Sequence, residues 1–589
     1  MSFNDRQLSR ARESRTAIEK LYVEMRHLVN RGVYRPMGST GKVIRESLLD
    51  LSPEIYGSMH VPEKVELDGL VYVIDRLPRG IESCRFIHMI SEEGYEESGF
   101  PIVVPSARRR NCYRIDDERM YIEVTRGRSE IYDILTHLTF LFFEADKIKE
   151  NALNEEEEPT EEWKKLEEIV QGKLLLNTKN QKNAYAYLSK ILGRTYEETK
   201  AACQRLDGHD EKNSGLFAVV YWLGKLAMEE EFDEQVFREI SFSPTLRERI
   251  GHHLYGERWA TNIKAFLMEN DLIDRPIHII SANMHSIMNC LYAPQALREF
   301  FGSKVSVFDL AKELSLTENG KMRERVESLA LANGMQVLES HAGTHIKVQI
   351  IDTLKLLDLE GNKRIGLDKE KILKEKPVLL IMDYAFGEQA YETLDELLKT
   401  YPNGEKEHRI QVASISVMGK AGILEGGKGD LMIPDAFVFE GTADNYPLEN
   451  EFKLDDFQGN DLQVFDGPMI TVLGTSLQNR DILAYFKQSS WQAIGLEMEG
   501  AHYQKAIQSQ VRIRKNVDSP VQLRYAYYAS DNPLETGSTL ASGSLGMTGV
   551  KPAYLISLKI LEKILGSPKS TKTAANGRAT KKQTKKATS

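Results

Sequence analysis

The sequence predicts an α/β fold in its C-terminal half, a central mixed sheet flanked by helices, preceded by a mainly helical N-terminal region. Three observations predict it. From about residue 276, short apolar runs alternate with amphipathic helical ones, the pattern of a layered α/β domain. Between about 160 and 270 the segments "NAYAYLSKILGRTYEETKAACQRL", "GLFAVVYWLGKLAMEEEF" and "ATNIKAFLMENDLI" place apolar residues at i, i+3 and i+4. The 589 residues are 41% hydrophobic and 28% charged, a globular composition, and that length holds about two to four domains.

Along the chain, residues 1–148 read as an α+β or helical domain. "SRTAIEKLYVEMRHLVNRG" has helical spacing and stops at a glycine. "GLVYVIDRLPRGIESCRFIHMI" reads as short strands, or a strand and a turn. "FPIVVPSARRRNCYRID" sets Arg108, Arg109 and Arg110 together, a solvated basic turn or an anion-binding group. "IYDILTHLTFLFFEADKI" is the richest apolar run, but Asp133, His137, Glu144 and Asp146 mark it as a buried helix, not a membrane span. Residues 149–272 read as a helical region that opens on an acidic linker, "KENALNEEEEPTEEWKKLEEI". Residues 273–566 form the α/β domain, with strands in "RPIHIISANMH", "THIKVQIIDTLKLLDLEGN", "KPVLLIMDYAFGEQ", "HRIQVASISVMGKAG", "GDLMIPDAFVFEG", "PMITVLGTS" and "VQLRYAYYAS". "MTGVKPAYLISLKILEKIL" is its closing helix. Residues 567–589 hold seven basic and no acidic residues and read as a disordered tail.

Composition excludes some classes. The formal net charge of −10 argues against nucleic acid as the main partner, leaving only the tail for such a contact. Four dispersed cysteines, Cys84, Cys112, Cys203 and Cys290, make neither a disulfide framework nor a zinc knuckle and suit a reducing cytoplasm. The N-terminus lacks the apolar core of a signal peptide. His341 and His345 are four apart in a segment that reads as extended, so they do not align as helical metal ligands. No metal or cofactor is expected.

Three segments carry candidate chemistry. In "ISVMGKAGILEGGKGDLMIPDAF", Gly419, Lys420, Ala421 and Gly422 follow an apolar run. Small residues there let backbone N–H groups approach an anion, although an ordinary tight turn has the same composition. It is not a Walker A loop. In "AIGLEMEGAHYQKAI", Glu497, Met498 and Glu499 precede Gly500 and Ala501. An ionised carboxylate accepts two hydrogen bonds at once, matching vicinal ribose hydroxyls, and a methionine packs on the apolar face of a sugar. Acids at a helix start are equally a solvated pair favoured by the dipole. In "YAYYASDNPLETGSTLASG", an apolar strand ends at Ser530 and Asp531. A buried aspartate there suits general acid work, and an Asx-turn is the alternative.

The order of these segments resembles the purine nucleoside phosphorylase superfamily, over roughly residues 276–566. "GLEMEGA" is similar to its ribose-binding motif, "ASDNPL" to its catalytic strand end in the form nearest AMP nucleosidase, "GKAG" to its glycine loop and "KGDLMIPDA" to the strand that follows. The resemblance implies a phosphorylase-like α/β domain that assembles as a homo-oligomer. It implies that Glu499 binds the 2′ and 3′ hydroxyls, with Met498 and Glu497 beside the sugar. Asp531, next to Ser530, would act at N7 of a purine, and Phe437 would line the base or sugar wall. Two departures matter. "SISVMGK" lacks the arginine that phosphorylases carry before the loop, so Lys420 is the cation left there. "IHIISANMHSIMN" has Asn283 and His285 but no water-activating glutamate, so the nucleophile stays open. The expected activity is cleavage of the N-glycosidic bond of a purine nucleoside or nucleotide by a nucleosidase. For a substrate with a 5′-phosphate, Lys420 or the group Arg108, Arg109 and Arg110 is suited to read it. The alternatives are a phosphate-dependent phosphorylase and a catalytically silent nucleotide-binding protein.

Overall fold

The computed structural model describes residues 3–566, apart from 109, 177–179, 208–213, 234, 340–342, 360–365, 404–405, 443, 519 and 536–544. Arg109, His341 and the basic tail therefore lie outside the described residues.

The N-terminal half is built around a sheet, not helices alone. Its strands are β1 (Val33–Tyr34), β2 (Phe86–Ile90), β3 (Ile102–Val103), β4 (Cys112–Arg114), β5 (Arg119–Glu123) and β6 (Glu239–Phe242), in the spatial order β1-β6-β2-β5-β4-β3. β2 runs parallel to β5 and β6. β6 comes from the stretch expected to be helical. "EISF" alternates half-buried and buried residues and fills the slot between β1 and β2. A second expectation is also corrected. "GLVYVID" is not extended but lies in the helix Leu67–Ile74. The Glu66 carboxylate caps it by accepting from the Asp68 and Gly69 N–H groups, and nearly all of its residues are buried, which overrides the β propensity of its valines. The apolar run at 131–148 lies within the buried helix Gly127–Ala152, and Tyr56 stacks on its Phe140 with ring centroids 4.2 Å apart.

The second sheet uses β7 (Ile277–Ser281), β8 (Met335–Leu338), β9 (Val348–Asp352) and β10 (Val378–Met382), then, past the separate hairpin β11 (Tyr401–Asn403) and β12 (Lys406–His408), β13 (Val412–Ile423), β14 (Leu431–Phe439), β15 (Asn445–Pro447), β16 (Val464–Thr471), β17 (Gly495–Glu497) and β18 (Gln522–Asp531). The order is β15-β14-β16-β17-β13-β7-β10-β9-β8, and β18 pairs with both β13 and β14. The strands β13, β17, β16, β14 and β18 thus close a ring, which leaves no free edge among them. The sheet is mixed and flanked by helices, as the sequence predicts. β7, β10, β13 and β18 all point the same way, so their carboxyl ends gather on one side, the side where open α/β sheets bind ligands.

Helices Met284–Ala296, Val307–Ser315, Gly320–Ala332 and Val550–Leu565 build one apolar core on one face of this sheet. The other core is continuous from Ala17 through helix Gly127–Ala152 to Phe437, Leu496 and Tyr527. The two halves therefore share one core. Each fully buried aliphatic side chain in it contributes about 1.5–3 kcal/mol. Polar contacts fix the junction. Lys264 Nζ donates to the carbonyls of Glu396 and Lys399 at 2.7 and 2.8 Å. Trp259 Nε1 donates to the Ile346 carbonyl at 3.0 Å, and Asn479 Nδ2 to the Leu51 carbonyl at 2.7 Å. All four cysteines are buried, and none of them forms a disulfide among the described residues. Among the described residues no helix is long and apolar enough to cross a membrane.

Candidate active site

A cavity of about 780 Å³ opens at the carboxyl ends of the strands, between the two halves of the chain. Its sheet side is formed by Ser281 after β7, Tyr384–Phe386 after β10, Val417–Ala421 of β13, Leu496–Glu499, Tyr503, and Tyr527, Tyr528 and Ser530 of β18. Its far wall comes from the N-terminal half.

Glu499 stands at the start of the helix Gly500–Ile507, where the chain leaves β17. Its carboxylate accepts the Gly387 N–H at 3.0 Å. Gly387 has φ +55°, and a Cβ on it would lie 2.3 Å from the Ser129 hydroxyl, so only glycine brings that N–H so close. Burial, and then the charge of Glu497, push the Glu499 carboxyl above the ordinary carboxylate range. Glu497 plays another part. Its Oε2 accepts the N–H groups of Glu499 and Gly500, its Oε1 the Thr471 hydroxyl, and Thr471 in turn accepts the Ala501 N–H at 2.9 Å. Both Glu497 oxygens are thus engaged in holding the helix start, although the residue also lines the cavity beside Glu499. Met498 lines the cavity beside Glu499.

Gly500 sets the helix depth. A Cβ there would lie 2.2 Å from the Phe437 ring. Phe437 is itself fully buried, 5.3 Å from the Tyr525 ring centroid, and is absent from the cavity wall. Its expected place as a base or sugar wall is corrected to a support beneath the helix.

Ser530 lines the cavity and Asp531 stands directly behind it, fully buried. The Ser530 hydroxyl contacts the Asp531 Oδ1 at 2.5 Å and the Ala421 carbonyl at 3.0 Å. Asp531 Oδ2 is buried without a hydrogen-bond partner. Burial raises the Asp531 carboxyl above its ordinary value, against the pull of Ser530, Lys420 and Lys428. A raised pKa shifts the group toward the protonated form, the form that can donate a hydrogen bond to a leaving group.

Gly419, Lys420, Ala421 and Gly422 are not a loop. They lie inside the twelve-residue β13 and pair in parallel with Tyr527, Tyr528, Ala529 and Asp531, with an irregularity between Ala421 and Gly422. Pairing with β18 along its whole length, joined by β17 at Gly422, makes this stretch strand, so no anion-binding turn forms. Lys420 remains on the cavity wall. Asn283 and His285 do not line the cavity. The Asn283 side-chain Oδ1 caps helix Met284–Ala296 by accepting the Ser286 N–H at 3.2 Å, and His285 is exposed.

Sequence reasoning named Arg108 and Arg110 within a basic group but not the far wall they help form. Tyr72, Arg76, Arg108, Arg110, Arg126, Glu130 and Asp133 all reach the cavity. Arg108 donates to Asp133 through Nη2 at 3.0 Å, and Arg110 Nε lies 3.4 Å from Glu130. Against the cost of burial, His137, Arg108 and Arg110 hold Asp133 well below its ordinary value. A usable signal existed, since an aspartate in the buried run "IYDILTHL" needs cationic partners, and the sequence offers arginines at 108–110 and at 126 and 128. Among the described residues no group of three or more His, Cys, Asp or Glu side chains is placed to hold a metal ion.

Residues 42–300 and 307–566 match the profile described as "Family of unknown function (DUF6909)". The chain belongs to that family. No curated protein matches it. Among solved structures, it is similar to Campylobacter jejuni 5′-methylthioadenosine/S-adenosyl homocysteine nucleosidase at 12% identity and TM-score 0.30, covering 49% of this chain and 98% of that one. The native futalosine hydrolase of Helicobacter pylori strain 26695 gives 13% identity, TM-score 0.29, and 50% and 99% coverage. Uridine phosphorylase from Schistosoma mansoni in complex with thymidine gives 12% identity, TM-score 0.30, and 51% and 91% coverage. The DUF6909 match spans both halves of the chain and therefore both walls of the cavity.

Proposed function

We propose that this protein hydrolyses the N-glycosidic bond of a purine nucleoside or nucleotide. The observation that carries the reading is the meeting, in one cavity, of Glu499 and Met498 with Ser530 and the buried, partly unpartnered Asp531 behind it. Glu499, ionised on binding, accepts the two ribose hydroxyls, and Met498 packs against the sugar. The C1′–N9 bond breaks with its electron pair going to the purine. Asp531 supplies a proton to N7, so the base does not leave as an anion. The water oxygen bonds to C1′ and its proton restores Asp531, giving free base and free sugar.

The test is base release measured by chromatography. Asp531→Asn is expected to lower turnover about 10²-fold or more while leaving ligand binding in place. Ser530→Ala separates two proton routes. A loss as deep as that of Asp531→Asn means the proton passes through the Ser530 hydroxyl, and a small loss means the Asp531 side chain turns into the cavity. Unchanged turnover in Asp531→Asn would sink the assignment. A second reading, a nucleotide-binding protein without catalysis, is favoured by the absence of Asn283 and His285 from the cavity wall. It predicts ligand binding with no release of base from any substrate, with or without phosphate. Base release only with added phosphate would make the protein a phosphorylase.

A further inference from the structure

We infer that the N-terminal wall of the cavity is a binding site for a phosphate-class oxyanion, held against the nucleoside that the sheet side binds. The inference rests on the nucleoside reading above and adds to it the group that the other half of the chain recognises.

Four guanidinium groups, of Arg76, Arg108, Arg110 and Arg126, face two carboxylates, of Glu130 and Asp133, on this wall. Guanidinium groups stay charged at any working pH, and the wall carries an excess of two positive charges, matching a dianion. The carboxylates are already engaged. Glu130 accepts the N–H groups of Thr125 and Arg126 at 3.0 and 2.9 Å, and Asp133 takes Arg108 and lies 3.2 Å from His137 Nε2.

The guanidiniums have donors left over. Arg110 has a side chain only 1% exposed, yet its Nη1 has no hydrogen-bond partner. Arg76 lies flat 3.4 Å above the Tyr72 ring and donates Nη1 to the Tyr72 carbonyl, while its Nε is buried without a partner. Arg126 makes no ion pair among the described residues. Buried donors without partners cost free energy unless a ligand takes them, and planar guanidinium forks match phosphate oxygens. Lys420, on the opposite wall, cannot provide that geometry because an ammonium is a point charge.

The oxyanion comes either as the 5′-phosphate of a nucleotide or as free phosphate beside a nucleoside, and binding experiments separate them. The full chain is titrated calorimetrically with adenosine, guanosine and uridine, with their 5′-monophosphates, and with inorganic phosphate alone and together with each nucleoside. The same series is run on Arg126→Ala and Arg76→Ala, with the melting temperature checked for each. Arg126 is half-buried and spends only its backbone on structure, so this variant folds. The expected result is a preference for nucleotide over nucleoside, or a gain in nucleoside affinity with phosphate, of about tenfold or more that weakens with salt and collapses in both variants. Equal binding of nucleosides and nucleotides with no effect of phosphate overturns the inference, as does a preference that survives both substitutions. If neutral nucleosides release base as fast as nucleotides, the nucleosidase reading stands and this inference falls. If nucleotide binding depends on Arg126 and no base is ever released, the inference stands and the nucleosidase reading falls.

Discussion

Gly500→Ala tests whether the depth of one helix sets the position of the Glu499 carboxylate, the proposed sugar ligand. A Cβ at this position would lie 2.2 Å from the Phe437 ring edge and 2.4 Å from the adjacent ring carbon. Ordinary carbon–carbon contact needs about 3.5–4.0 Å, so something must give by more than about 1 Å. The ring is wedged against Tyr525 and Tyr527, at 5.3 and 6.3 Å between centroids, so the helix start is what moves. Overpacking of this kind costs about 1–3 kcal/mol. Glu499 is the residue before the substitution, and a displacement of about 1 Å at a positioning group costs about 10²-fold in rate. The assay is base release as kcat/KM, with melting temperature in parallel. Gly500→Ala is expected to lose about two orders of magnitude in kcat/KM and a few degrees in melting temperature. Adding Phe437→Val removes the ring atoms in the way and is expected to recover much of the activity. Wild-type activity in Gly500→Ala, or no recovery in the double variant despite a folded chain, would refute the reasoning.

Three more outcomes are expected. Glu499 is pushed above the ordinary carboxylate range in the free protein, and hydroxyl donors favour its ionised form, so its pKa falls on binding and protons are released. Affinity for a nucleoside therefore rises with pH from the ordinary carboxylate range up through neutrality, and calorimetry in buffers of different ionisation enthalpy reads the proton count. Arg128 holds the buried Glu388 at 3.0 Å across the junction of the two halves, and Arg128, His502 and Arg26 together outweigh the effect of burial and lower its pKa. That pair contributes stability above the unfolded carboxylate pKa and loses it as pH falls. Arg128→Ala leaves the charge uncompensated and should cost about 3–5 kcal/mol by denaturant titration at pH 7. Glu392, fully buried and next to Glu388, is pushed up to about 8. Its native form holds a proton that the unfolded form has lost, so stability falls as pH rises between the unfolded carboxylate value and about 8. Glu392→Gln removes that penalty and should raise the melting temperature at pH 7.5 while flattening its pH dependence.

Much of the sheet half was legible because each segment carried its own period. The strands at 277–281, 378–382 and 522–531 are apolar runs ended by polar residues, and Glu499 with Ser530 reach the cavity their motifs suggested. Three features escaped for physical reasons. "GKAG" has turn composition, but long-range pairing with β18 fixes it as strand, and pairing of that range is not written locally. Glu497 and Glu499 are chemically identical and two residues apart. Only the tertiary positions of Thr471 and Gly387 decide that Glu497 commits its oxygens to the helix start while Glu499 accepts the Gly387 N–H. Leu67–Ile74 is helical because Glu66 caps it and its surroundings bury it on nearly every side, which hides the amphipathic period that sequence reasoning relies on.

The arginine wall bears on why the N-terminal half is fused to this sheet. Stability alone does not call for it. A buried ion-pair cluster roughly breaks even against well-packed apolar residues of the same volume, and the shared core already joins the halves with side chains from Tyr22 to Phe439, whose rings lie 5.4 Å apart. Arg76 and Arg110, each with a buried donor left unpaired, are a net cost in the empty protein. An anion would offset that cost, and the two arginines sit where one half of the chain faces the Glu499 carboxylate of the other. Neither half encloses the cavity alone, so the site exists only in the assembled chain. Loosening the junction should therefore weaken ligand binding before it unfolds either sheet.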